Sequence, residues 1–148
     1  MRRVVRRMRL PQPPERVFTA CVDLLRTADP SRGVVQRRVE PDPPQVDAVV
    51  HTTVRDRRGD RELNAVVTEL RPPDVVCTVT EGAPAVRTEL RCEADGGGTR
   101  VTLTSDAEGA LDTFGRLGAL LDTLLFASGQ RRAARATLRR VRELARSA

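Results

Sequence analysis

Few side chains in this sequence can do acid–base, nucleophilic or metal chemistry, and their spacing limits what they can do together. His51 is the only histidine. Val46, Ala48, Val50, Thr52 and Val54 mark the apolar side of its strand, so strict alternation puts His51 on the wet side. Glu69 is the sharper candidate for a proton-transferring group. Leu63, Ala65 and Val67 share its parity and turn it toward a covered face, whereas Val66 and Leu70 form a competing set that turns it to water. A carboxylate held among apolar walls has its proton affinity raised, which is what a general base near neutral pH needs. Cys21, Cys77 and Cys92 lie on apolar faces with no histidine at a suitable range, and read as core thiols. One histidine and three scattered cysteines give no zinc spacing, so neither a metal nor another cofactor is expected. Gly96-Gly97-Gly98 precedes a strand and not a helix, and no Gly-Lys-Ser/Thr follows; it is a hairpin turn, not a phosphate loop.

The elements that position these groups follow from a change of period. Between Val34 and Asp106 the residues alternate with a period near two. Strands are predicted at 34–40, 45–55, 61–70, 74–81, 85–94 and 99–106, separated by Pro-, Gly- and Asp-rich turns. A further strand at 4–10 precedes them. Alternation is clearest where Val86, Thr88, Leu90 and Cys92 oppose Arg87, Glu89, Arg91 and Glu93, which means one covered and one wet face. Pro14 and Glu15 suit the first turn of a helix over 14–28, with Val17, Phe18, Cys21, Leu24 and Leu25 on one face. From Leu111 to Arg146 apolar residues recur every three to four positions, predicting one long helix with a bend near Gly129.

Strand, helix, a run of strands and one closing helix give an α+β fold. A seven-stranded antiparallel sheet curves around the long C-terminal helix, and the short N-terminal helix closes one end. Such a sheet encloses a space. Its expected walls are Val50, Val67, Leu90, Leu103, Phe114 and Leu121, with Gly118 letting a ligand or the sheet approach the helix. Thr52, Thr88 and Ser105 are hydroxyls that parity allows to face inward.

Composition bounds the partners. At 148 residues the chain fits a single domain, 1–148, able to bury a real core. Charge is uneven: +5 in residues 1–10, +6 in 131–148 and −5 between them. All 26 basic residues are Arg, with no Trp or Tyr to make a stacking platform, so nucleic-acid binding is the weaker reading of the basic ends. A solvated helix face and a basic first strand account for them. An odd number of cysteines without a CxxC fits free thiols in a reducing, cytoplasmic setting. The N-terminus lacks the apolar run of a signal peptide, and Leu117–Ala127, interrupted by Asp122, is too short to span a bilayer.

Four stretches resemble the START-like helix-grip (SRPBCC) superfamily, which includes polyketide cyclase/dehydrase and lipid-transfer proteins. Pro13-Pro14-Glu15-Arg16-Val17-Phe18 is similar to the family's opening of the first helix. Val67-Thr68-Glu69-Leu70-Arg71-Pro72-Pro73 resembles its Val-x-Glu-x-x-Pro-Pro strand end, Gly98–Leu103 its last strand, and Leu138–Leu144 the end of its final helix. The resemblance implies a sheet wrapped around the last helix with a pocket between, holding a small hydrophobic, lipid- or polyketide-like molecule. It also implies an alternative, a cyclase or aromatase using the same pocket, in which an inward Glu69 is the base toward an acidic C–H or hydroxyl. A third reading is a protein- or ribosome-interaction module using the basic helix ends. The fold alone does not choose among them.

Overall fold

A computed structural model describes residues 2–82, 85–108 and 115–147, with side chains of 108 and 115–128 excepted. The chain opens with β1 (Arg2–Leu10) and α1 (Pro14–Asp23), followed by two 3₁₀ turns at Leu24–Arg26 and Pro30–Arg32. The sheet continues through β2 (Val34–Glu40), β3 (Val49–Asp56), β4 (Gly59–Arg71), β5 (Val75–Thr80), β6 (Ala85–Asp95) and β7 (Gly98–Glu108). It closes with α2 (Gly115–Ser147). The seven strands are antiparallel in the order β1-β7-β6-β5-β4-β3-β2. The first strand returns to pair with the last, leaving β1 and β2 as edges.

Pro14 sits where a helix needs no N–H, and Glu15 faces the positive end of its dipole. Val17, Phe18 and Cys21 are buried on the inner face of α1. The helix is shorter than its period suggests: the chain tightens into a 3₁₀ turn at Leu24, and Thr27 is already extended. Val101, Leu103, Leu90 and Val50 of the sheet and Ala134, Leu138, Val141 and Ala145 of α2 belong to one buried apolar core. The Cys21 and Cys92 sulfurs meet in this core at 4.0 Å as free thiols.

In β1, Val4 and Leu10 are buried while Arg3, Val5, Arg7 and Arg9 are exposed. Its arginines therefore decorate the outside of an edge strand, a placement that discourages edge-to-edge pairing. Arg3 is tied down by a bidentate pair with Asp106 on β7, at 2.7 and 3.1 Å.

One strand start differs from the period-two reading. Residues 45–48 form a turn, with the Ala48 N–H donating to the Gln45 carbonyl and Asp47 left-handed at φ 74°. Val46 is consequently 47% exposed and does not belong to the apolar side of β3. Beyond this turn the ladders with β2 and β4 start at Val49.

Gly33 sets the entry to β2. It is left-handed at φ 74°, and a Cβ there would lie 2.7 Å from the Arg55 carbonyl oxygen. Its own carbonyl accepts from the Arg55 N–H at 2.7 Å. This close approach fixes the turn that carries Arg32.

Candidate functional site

A cavity of about 800 Å³ lies between the concave sheet, the 3₁₀ turns and α2. Alternation explains its central walls, because every second residue of β3, β5 and β6 points into it. Val50, Thr52 and Val54 come from β3, Val76, Thr78 and Thr80 from β5, and Val86, Thr88 and Leu90 from β6. Leu63 and Ala65 on β4 and Leu103 and Ser105 on β7 complete the sheet side. Helix α2 contributes Gly129, Gln130, Ala133, Ala134 and Thr137. Gly129 is exposed on this wall, and a Cβ there would meet nothing within 4 Å.

The residues singled out by sequence fall into three groups. Val50, Thr52, Thr88, Leu90 and Leu103 line the cavity, as does Ser105. Val67 is fully buried but lies in the packed core, not on the wall. Phe114 lies outside the described residues. Gly118 and Leu121 fall within α2, but their side chains also lie outside the described residues.

Glu69 is turned away from the cavity. The register with β5 runs Val67 to Thr78 and then Glu69 to Cys77, a bulge that inserts one residue into β4. The bulge reverses parity, so the run Leu63, Ala65, Val67 does not extend to Glu69. Leu70 packs on the core instead, and Glu69 stands beside Cys77 on the outer face, paired with Arg71 at 2.7 Å. His51 is also outward, hydrogen-bonded to Asn64 Oδ1 at 3.0 Å and 3.3 Å from Glu62. All three thiols are buried. The neighbouring Cys92 sulfur and burial together push the Cys21 thiol well up, and burial raises that of Cys77.

Three polar members of the wall, Gln130, Arg37 and Arg32, carry no clear signal in the sequence. Gln130 is buried, and its side-chain nitrogen donates to the Ser105 carbonyl at 2.9 Å and the Ser105 hydroxyl at 3.1 Å. Its Oε1 has no donor. At the opposite edge, Arg37 on β2 and Arg32 in the 3₁₀ turn both line the cavity. Arg37 has the parity of buried Val39, the one signal that would have found it. Burial pulls its guanidinium down to about 10, reinforced by Arg32 and Arg140 and opposed by Asp29. Burial lowers Arg32 as well, with Asp29 opposing and Arg139 adding to the shift. Both stay charged at neutral pH. Among the described lining residues there is no carboxylate, imidazole or thiol.

A sheet gripping a long helix around a largely apolar cavity defines a helix-grip binding domain. The sequence matches the family of polyketide cyclase / dehydrase and lipid transport proteins over residues 1–146, and the chain belongs to that family. No curated protein matches it. Among solved structures, it is similar to TTHA0849 from Thermus thermophilus, at 17% identity over 99% of this chain and 98% of that one, with a TM-score of 0.75. It is similar to Ara h 8.0201 at 11% identity over 99% of both chains, TM-score 0.72. It is also similar to the di-domain ARO/CYC StfQ from the steffimycin biosynthetic pathway, at 12% identity over 98% of this chain and 50% of that one, TM-score 0.75. At these identities the structural likeness carries the fold. Family membership implies hydrophobic ligand binding in general, and no described helix is long and apolar enough to cross a membrane.

Proposed function

We propose that this chain binds a small lipid- or polyketide-like molecule in the cavity between sheet and α2 and carries it unchanged. The observation that supports this most is the lining itself. It offers apolar wall, hydroxyls, amides and two guanidiniums, but no described group suited to moving a proton near neutral pH. The donor-less Gln130 Oε1 adds a buried acceptor that a ligand hydroxyl or a water would satisfy. The cyclase alternative has less support, because Glu69, its best base, pairs with Arg71 on the outer face. An interaction module working only through its basic ends leaves an 800 Å³ cavity without a use. Three free, buried thiols suit a reducing compartment, and we assign the chain to the cytoplasm on that ground.

Native mass spectrometry of protein purified from its own host tests the reading. The expected result is a bound apolar molecule that solvent extraction removes. Bare protein that also takes up no apolar fluorophore would overturn it.

A further inference from the structure

The cavity is electrically lopsided. Its β2 edge carries Arg37 and Arg32, while the β7 side carries only the neutral Ser105 and Gln130. Neither guanidinium forms an ion pair among the described residues. Arg37 Nη1 donates to the Leu24 carbonyl at 3.1 Å, and Arg32 Nη1 to the Thr137 hydroxyl at 3.3 Å. Those are single contacts for groups that each present five N–H donors. Asp29, the acid whose charge reaches both, is itself buried and engaged in its turn, where Ser31 Oγ donates to it at 2.7 Å. Arg139 and Arg140 add positive potential from α2, and Glu143 is already paired with Arg140 at 2.8 Å.

Two cations facing an apolar cavity without a carboxylate partner are costly to keep there. A solvated helix face does not explain them, because both lie on the cavity wall. Holding the Leu24 carbonyl does not explain Arg37 either, since one neutral N–H would serve that carbonyl as well.

We infer that the ligand is an amphipathic carboxylate, its anionic head seated between Arg37 and Arg32 and its apolar body lying across Val50, Val76 and Leu90. The planar guanidinium fork suits a carboxylate, and the low-dielectric surroundings strengthen the pairing. The apolar residues between the cationic edge and Ser105 leave room for a body of hydrocarbon or fused-ring type. This choice of ligand class assumes the cavity binding proposed above, and the test separates the two.

A matched pair of probes, 1-pyrenebutanoate and 1-pyrenebutanol, differs only in the head group. The chain has no Trp or Tyr, so pyrene emission is read against a dark protein. Both probes are titrated into wild type, Arg37→Gln and Arg32→Gln at neutral pH, with melting curves to check folding. The carboxylate should bind wild type at least about 10-fold more tightly than the alcohol, the scale of a charge-assisted hydrogen bond. Each substitution should remove most of that preference while leaving alcohol affinity within about two-fold. Equal affinities in wild type overturn the carboxylate assignment even if both variants fail to fold, and so does a preference that survives in both folded variants. Binding of neither probe to wild type overturns the cavity-binding reading, and this inference with it.

Discussion

Gly129 offers a direct check of the cavity's helix wall. Glycine in a helix interior costs about 1 kcal/mol relative to alanine, because its backbone has more freedom to lose. Here a Cβ would meet nothing within 4 Å, and the backbone is ordinary right-handed helix, so alanine brings neither strain nor collision. Gly129→Ala should therefore recover most of that cost. For a chain of 148 residues, about 1 kcal/mol corresponds to a rise of roughly 3 °C in melting temperature. Differential scanning calorimetry reads the shift. The companion Gly129→Phe directs a ring into the same open space. It should fold, because there is room, yet weaken uptake of a pyrene probe by at least about 10-fold, equal to about 1.4 kcal/mol. A fall in melting temperature for Gly129→Ala would mean that something packs on this glycine, and would refute an open cavity at this point of α2.

Other outcomes follow from the same geometry. Glu69→Gln removes one outer-face ion pair and should leave probe binding unchanged, with a stability change below about 1 kcal/mol in urea melts; a lost ligand or lost turnover would put Glu69 in the site. Gly33→Ala should destabilise by about 1–3 kcal/mol in the same melts, since it combines a left-handed backbone with a Cβ 2.7 Å from the Arg55 carbonyl oxygen. Native protein should react very slowly with a thiol reagent, and urea-unfolded protein should titrate three thiols at once, because Cys21, Cys77 and Cys92 are all buried. The raised thiols of Cys21 and Cys77 hold less thiolate at any given pH, which slows their native reaction further.

The sheet was legible in the sequence because its strongest strands alternate cleanly. Val86, Thr88 and Leu90 line the cavity while Arg87, Glu89 and Arg91 form an outer row of ion pairs, as a period of two requires. The closing helix was legible from its longer period. Parity failed where the backbone departs from a regular strand. At Glu69 two parity sets compete, and the extra residue between Val67 and Glu69 decides for the outward one, which no residue type announces. At 45–48 a turn with a left-handed Asp47 replaces the strand and bares Val46. Arg37 was hidden by its own chemistry: a charged residue reads as solvated, although it shares a face with Val39. Arg32 has no periodic signal at all, since a turn anchored by Gly33 and Asp29 delivers it.

Methyl-resolved NMR of the Val, Leu and Thr side chains during titration with 1-pyrenebutanol tests the central claim most directly. A ring bound between sheet and helix should move the methyl signals of Val50, Val76, Leu90 and Leu103 together by ring-current effects, and leave exposed Val5 and Val46 in place. Saturable shifts confined to surface methyls such as Val5 and Val46, with the four cavity residues unmoved, would contradict it.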